Sequence, residues 1–374
     1  TAYSSIKESN YALLANMEKV FPYLSETEKV KFKNMITGNH DLFITIADKM
    51  QSKEKTDVSD DVFNFIRDTR GIIFRSNTQL RRQISSSRDS LLKVDFSRWL
   101  EIKKVIAKAI SNEGVADKNA LNLDSLNLLA NNLEKSISEK SSIFKNALEM
   151  KKLASGSIRS KFTRDECSVI TIRYKDLSDC ETAQYTYAFL FMDKDQSKFI
   201  INTSGRKLEG SGIQNYYTSL RAKADFGVFK QFWKDIYPLM KDYSKIYFMP
   251  DGIYTKINPE TFIGADKKYL LEKHDFVQTS TISDILNRRY NILPKNIDLF
   301  GYPSFYNTEE KATSTNELLK QDLTGTKYEV AEIEKLFRDA GKQTSIFLLD
   351  RADDALLREL QAPSVLHIAT HGFF

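Results

Sequence analysis

The spacing of apolar residues changes near residue 162, and this change constrains the fold more than any other feature of the 374-residue chain. In the first ~150 residues, apolar side chains recur every three or four positions, with almost no proline or glycine inside the periodic stretches, as in amphipathic helices. After residue 162, short β-branched or apolar runs alternate with segments of helical spacing. The order predicts a helical region followed by an α/β region.

The amino-terminal region is expected to form several helices. One contains the periodic residues between Leu13 and Leu24, and the next begins at the Ser-Glu-Thr-Glu sequence of Ser25 to Glu28, which is a capping box. Further helical segments are predicted over 61–85, 96–110 and 123–153. The signature of a 34-residue helical repeat is missing, so we interpret residues 1–157 as a helical bundle or a divergent helical-repeat region.

The carboxy-terminal region, residues 162–374, reads as strands and helices in alternation. Strands are predicted over 167–174, 185–192, 199–201, 246–249, 297–300, 344–349 and 365–369. The turn at 193–197 favours a hairpin between the second and third strands. Helices are predicted over 213–220, 226–240, 282–290, 327–340 and 353–360. This order predicts a mostly parallel sheet with helices on both faces.

The two cysteines, Cys167 and Cys180, exclude a disulfide scaffold and a zinc site of four cysteines. The two could be bridged, but a reducing, cytoplasmic environment is the simpler interpretation. No apolar run approaches the ~20 residues that cross a membrane, and residues 1–10 are polar and lack a secretory cleavage site. Because the chain starts without Met and stops at Phe374, we expect both ends to be cuts.

Charge and phosphate motifs point away from nucleotides. The formal charge of +5 is a weak argument for nucleic-acid binding on a chain of this size. Gly210 and Gly212 form a bare Gly-x-Gly without a further glycine, and no phosphate-binding loop sequence occurs.

His367 and His371 are four residues apart, a spacing that would suit a metal site on a helix. The surrounding sequence is strand-like, however, and at ~3.3 Å per residue their Cα atoms would be about 13 Å apart, which disfavours a shared ion. His371 instead follows a predicted strand, where open α/β sheets place their chemistry. It could shuttle a proton beside the N–H of Gly372, or it could be a structural histidine at a strand end.

The segment Ser364–Phe374, with the sequence SVLHIATHGFF, resembles the histidine motif of the CHAT domain, a caspase-like cysteine peptidase family often fused to tetratricopeptide repeats. Four upstream segments are similar to motifs of the family in the same order: MPDG…INPE at 249–260, GYPSF at 301–305, LTGTKYE at 323–329 and LLDRA at 348–352. Asn258 stands in a commonly apolar stretch, and Thr324 stands where the family usually has proline. The resemblance covers residues 162–374 and implies a caspase-like fold, incomplete at its carboxyl end.

The resemblance also implies roles for individual residues. His371 matches the catalytic histidine, Gly372 matches the glycine whose N–H contributes to the oxyanion hole, and His367 matches a structural or supporting position. The family's nucleophilic cysteine follows the next strand, so it is expected beyond Phe374. Cys167 and Cys180 precede the histidine and cannot take that role.

The function implied is a cysteine endopeptidase that cleaves a protein substrate without a metal or organic cofactor. The helical region would receive a signal from a protein or nucleic-acid partner, and no membrane partner is expected. A non-catalytic scaffold with a caspase-like fold is the alternative. Since half of the catalytic dyad is missing, the chain ending at Phe374 is expected to be inactive alone.

Overall fold

The computed structural model describes residues 2–35, 37–111, 122–141, 155–179, 181, 183–286, 294–304, 323–353, 356–357, 360 and 363–370. The chain forms two compact units, Thr1–Asn287 and Arg288–Phe374.

The first unit begins with helices, as predicted. They are α1 (Ala2–Val20), α2 (Glu26–Met35), α3 (Thr37–Lys53), α4 (Ser59–Thr69), α5 (Ile72–Ser86), α6 (Ser90–Ser111), α7 (Leu123–Ser141) and α8 (Ser155–Arg159). The capping box at the start of α2 is confirmed, because the Ser25 N–H donates to Glu28 Oε2 over 3.0 Å and the Glu28 N–H donates to Ser25 Oγ over 3.4 Å. Beyond Ser141, the end of the helix predicted over 123–153 lies outside the described residues.

The helix predicted over 61–85 is two helices. The break is at Arg70 and Gly71, where Gly71 has a φ of 69° and the backbone turns into the left-handed region that glycine tolerates best. The apolar spacing continues across this break, so periodicity alone did not reveal it.

The sheet of the first unit has five strands in the order β3-β2-β1-β4-β5. They are β1 (Glu166–Lys175), β2 (Tyr185–Met192), β3 (Ser197–Ile201), β4 (Lys245–Met249) and β5 (Asp275–Gln278). β2 pairs antiparallel with β1 and β3, whereas β4 pairs parallel with β1 and β5. The predicted β2–β3 hairpin is therefore confirmed, and the sheet is mixed. β5 was not predicted because it is an edge strand of four residues.

Helices return after β3. They are α9 (Gly205–Lys207), α10 (Ile213–Ala222), α11 (Val228–Trp233), α12 (Tyr237–Met240) and α13 (Ile282–Leu286). The single helix predicted over 226–240 is split into α11 and α12, because Pro238 has no N–H to donate to the Lys234 carbonyl and its ring would clash with that carbonyl in a continuous helix.

Both faces of the five-stranded sheet are buried. On one face, Ile170 and Ile172 of β1 pack in a core with Phe43 of α3 and Phe63 of α4. On the other face, Val169 of β1 packs with aromatic residues of α11 and the segments around it. Helices α3 and α4 thus share a core with the sheet, whereas α5, α6 and α7 pack around a hydrophobic cluster of their own. The predicted domain division at 157–162 stays a prediction.

The second unit contains a parallel sheet of three strands in the order β7-β6-β8. The strands are β6 (Asn296–Pro303), β7 (Gln343–Leu349) and β8 (Val365–Ala369), and helix α14 (Thr324–Asp339) packs against one face through Val330. Half of the residues of the helix predicted over 353–360 lie outside the described residues. Taken together, the two units confirm an α/β architecture after an all-helical beginning.

In the part of the chain that the structure describes, no helix combines the length and apolarity needed to cross a membrane.

A buried histidine makes the stability of the first unit depend on pH. His274 precedes β5 and is 3% exposed, and its Nδ1 donates to the Tyr243 carbonyl over 2.7 Å, while Nε2 has no hydrogen-bond partner among the residues that the structure describes. Burial lowers the pKa of His274, because protonation would add a charge at Nε2 with no acceptor.

We therefore expect stability to fall as the pH drops below about 6.5, where the unfolded chain binds a proton that the folded chain does not, with a slope of at most about 1.4 kcal/mol per pH unit. Urea unfolding between pH 7.5 and 5 measures it. His274→Asn, whose amide can donate to Tyr243, is expected to flatten the slope; equal slopes in the two proteins would contradict this account.

Candidate active site

The predicted catalytic residues His371 and Gly372 lie outside the described residues. Strand β8 ends at Ala369, so His371 is the second residue after the strand in the sequence. Because β6, β7 and β8 are parallel, Pro303, Leu349 and Ala369 all lie at the carboxyl edge of this sheet. That edge is where parallel α/β sheets usually hold their reactive groups.

Two strand ends at this edge carry unusual backbone geometry. Tyr302 has a φ of 48° and Leu349 a φ of 54°, both in the left-handed region that large side chains rarely adopt. They lie side by side, since Pro303 pairs with Leu349 and the Ser304 N–H donates to the Leu349 carbonyl over 3.3 Å. Strained backbone of this kind is concentrated at functional sites, and the sequence did not indicate it.

The segment that opens α14 fixes the helix against β6. Thr326 Oγ1 accepts the Tyr302 N–H over 2.8 Å and donates to the Leu323 carbonyl over 2.8 Å. At Gly301, a Cβ would come within 2.7 Å of Val330 Cγ1 and 2.9 Å of the Thr326 carbonyl oxygen, so only glycine lets the helix approach this closely. Gly301 and Tyr302 of the GYPSF segment therefore contact the start of α14, which the LTGTKYE segment forms.

His367 lies on β8 and points toward α14. Its Nε2 is 2.9 Å from Glu329 Oε1, and both side chains are partly exposed. The LTGTKYE motif contains Glu329, but no spacing in the sequence indicates that this residue pairs with His367, 38 residues away. Among the residues that the structure describes, no group of three or more His, Cys, Asp or Glu side chains could hold a metal ion.

The Pro-Asp-Gly sequence after β4 belongs to the first unit and is held by the helical region. Arg70, at the end of α4, donates to Asp251 Oδ2 over 2.9 Å and to the Thr171 carbonyl of β1 over 2.7 Å. Asp251 also accepts the Gly252 and Arg173 N–H groups. One carboxylate thus joins the helix end, β1 and the turn after β4.

A second set of contacts supports the same turn from β2. The Tyr187 hydroxyl accepts the Ile253 N–H over 2.7 Å and donates to Glu209 Oε1 over 2.6 Å. Glu209 pairs with Arg173, and this contact raises the pKa of Arg173 and lowers that of Glu209. Burial, with the Glu209 contact second, raises the pKa of Tyr187.

Residues 228–374 match the family model of the CHAT domain. The resemblance stated from the motifs is thereby confirmed for this segment, whereas its extension over 162–227 stays a prediction. No curated protein matches the chain.

Inside the matched CHAT segment, Gly252 gives a sharp test of the Pro-Asp-Gly turn. It has a φ of 54°, and a Cβ would collide with the Tyr187 hydroxyl and Arg173 Cδ. We expect Gly252→Ala to lower the free energy of unfolding by more than the 1–2 kcal/mol or so of left-handed strain alone. Gly227→Ala is the matched control, because Gly227 has a φ of 77° and nothing within 4 Å of the added Cβ. If urea unfolding shows the same loss of unfolding free energy for Gly252→Ala and Gly227→Ala, the collision at residue 252 is relieved without cost.

The Arg70–Asp251 pair makes a second prediction. The Arg70 side chain is 17% exposed, so Arg70→Met would leave Asp251 without its cation and is expected to cost about 2–4 kcal/mol. Arg70→Lys keeps the charge but not the planar fork and is expected to recover only part of the loss. Arg338→Met, which removes a pair with a 65% exposed arginine, is the control, with an expected loss below about 1 kcal/mol. An Arg70→Met loss as small as that of the control would overturn the assignment.

Proposed function

We propose that the full-length protein is a caspase-like cysteine endopeptidase that cleaves a protein substrate and is controlled through its helical region. The observation that carries the proposal is the CHAT match over 228–374, together with the position of His371 in the sequence, two residues after β8. A histidine that follows a strand of a parallel sheet is in reach of groups from neighbouring strand ends.

In the proposed reaction, a cysteine thiolate attacks the carbonyl carbon of the scissile peptide bond. The N–H of Gly372 stabilises the oxyanion of the tetrahedral intermediate, and His371 donates a proton to the leaving amine as the C–N bond breaks. Water then attacks the thioester, giving up its proton to His371, and the acid product leaves with the thiolate restored. The scheme uses no metal or organic cofactor.

The nucleophile is proposed to be a cysteine downstream of Phe374. Cys167 is fully buried in β1, and burial, with Asp193 as the lesser cause, raises the pKa of its thiol. A thiol that resists ionisation and has no access to substrate is a poor nucleophile. Cys180 lies outside the described residues.

The shared core of the first unit supports control by the helical region. Helices α3 and α4 cover one face of the sheet, and Arg70 at the end of α4 binds the turn after β4. A protein or nucleic-acid partner that shifted these helices would therefore act on the sheet directly. A cytoplasmic location is part of the proposal, since a thiolate nucleophile persists best in a reducing compartment.

The test is His371→Ala in the full-length protein, assayed on a proteome-derived peptide library by mass spectrometry. We expect cleavage to fall about 100- to 10,000-fold, the range for loss of a general acid–base group. Cys167→Ala is the control and is expected to retain cleavage. Iodoacetamide is expected to abolish cleavage by the unchanged protein and by Cys167→Ala alike.

Unchanged cleavage by His371→Ala would remove His371 from the mechanism. A coding sequence without a cysteine at a strand end in the several tens of residues after Phe374 would favour the non-catalytic scaffold instead.

A further inference from the structure

Helix α6 is held in the first unit by one face and exposes another. Leu92, Trp99 and Ile106 recur every seven positions and are buried with residues of α5 and α7 in one hydrophobic cluster. An exposed row of side chains, the α6 stripe, lies roughly 120° around the helix from Trp99, at about 100° per residue. The α6 stripe consists of Leu91, Val94, Arg98, Glu101 and Val105.

The α6 stripe has the spacing of a coiled-coil seam. Its residues are alternately three and four positions apart, which is the pattern that packs one helix against another. Val94 is 63% exposed, Val105 is 40% exposed, and Leu91 at the outer end is 72% exposed. The protein itself therefore leaves this seam without a covering helix, which favours a helix of a partner as its cover.

The centre of the α6 stripe carries one cation and one anion. Arg98 is exposed and has no acidic partner among the residues that the structure describes. Glu101 Oε1 accepts from Lys104 over 2.8 Å, but these side chains are 68% and 49% exposed, so the contact is weak. Glu101 Oε2 has no partner in the described part of the chain, so the carboxylate can accept from a second cation.

A second copy of α6 that runs antiparallel complements the α6 stripe. In one register, Val94 meets Val105 of the second copy and Arg98 meets its Glu101, and twofold symmetry makes each contact twice. A shift by one heptad would set Val94 against Arg98 in one direction, or Glu101 against Val105 in the other. A parallel pair would set each charge against its own kind. The apolar and the charged residues thus select the same antiparallel register.

The other charges of α6 do not oppose this register. A twofold axis perpendicular to the helices keeps each flank on its own side, so Lys104 faces Ser97 of the second copy. Asp95 is paired within its own chain over 2.6 Å. Lys103 lies 5.7 Å from the centroid of the Trp99 ring, toward the buried face.

We propose that α6 pairs antiparallel with α6 of a second copy of this chain, with Arg98 bound to Glu101 of the other copy and Val94 packed on its Val105. A single pair of helices makes a small interface, so the dimer forms and dissociates with concentration. The proposal does not rest on the peptidase reaction, because dimerisation is measured without cleavage.

Charge exchange in the full-length protein tests the pairing by sedimentation velocity over a concentration series. The unchanged protein is expected to shift from monomer to dimer as its concentration rises. Arg98→Glu and Glu101→Arg each create two like-charged contacts and are each expected to weaken the dimer more than about tenfold. The variant that carries both changes restores the contacts and is expected to dimerise within about threefold of the unchanged protein.

The control is Lys93→Glu, which makes the same change of charge on α6 outside the α6 stripe and is expected to leave dimerisation unaltered. A monomer at every concentration would overturn the proposal. Single exchanges that dimerise like the unchanged protein, or a double exchange that does not recover dimerisation, would overturn it as well.

Mixing the two single variants tests whether the contacts run between copies. The Arg98→Glu copy has two acidic residues in the α6 stripe and the Glu101→Arg copy has two basic residues, so each complements the other and opposes itself. An equimolar mixture is expected to dimerise at concentrations at which either variant alone stays monomeric. A mixture that sediments as the sum of two monomers would contradict the assigned contacts.

The apolar contact has its own test. Val94→Asp is expected to weaken the dimer more than about tenfold, because the carboxylate would be buried against Val105 of the other copy. Leu128→Asp is the matched control, since Leu128 is 62% exposed on α7 and outside the α6 stripe, and it is expected to have no effect. Circular dichroism confirms that both variants fold. Equal losses from the two changes would show that the dimer does not use the α6 stripe.

Discussion

The burial of both faces of the five-stranded sheet is the constraint on which the first unit depends. Strand β1 is central and apolar on both sides, with Ile170 and Ile172 on one face and Cys167 and Val169 on the other. Each face needs a cover, because the strand cannot turn either side to water. The amino-terminal helices α3 and α4 provide one cover and α11 with its neighbours the other. Part of what looks in the sequence like a separate helical region therefore belongs to the core of the sheet, while α5, α6 and α7 have a cluster of their own.

This sharing explains why the parts of the fold differed in how well the sequence predicted them. Strands β1 and β2 were predictable because both contain runs of β-branched and aromatic residues, and such residues favour strands. Strand β5 was not, since Asp275 to Gln278 contains only two apolar residues and owes its strand geometry to pairing with β4. The break at Gly71 was hidden because apolar spacing resumes at Ile72.

The candidate site was predicted from motif resemblance and not from the spacing of apolar residues. His371, Gly372 and His367 were predicted as site residues from motif resemblance and stay a prediction, and the family match covers the segment that holds them. Partners separated widely in sequence were not found. Arg70 binds Asp251 across 181 residues and Glu329 meets His367 across 38, and neither pair has a local pattern that a single sequence displays. Such contacts are properties of the packed chain, so only the structure could supply them.

At the carboxyl edge of the second unit's sheet, strands β6 and β7 end in strained backbone that neighbouring contacts hold in place. Left-handed geometry at Tyr302 and Leu349 costs roughly 1–2 kcal/mol at each residue. This cost is offset by neighbouring contacts, among them the hydrogen bond from the Tyr302 N–H to Thr326 and the close packing of Val330 on Gly301. A chain selected for stability alone would place glycine or asparagine at such positions. Tyr302 and Leu349 lie at the same edge of the sheet as the end of β8, which His371 follows in the sequence. The strained backbone is therefore at the edge to which the proposed reaction is assigned, and the first turn of α14 holds that backbone in position.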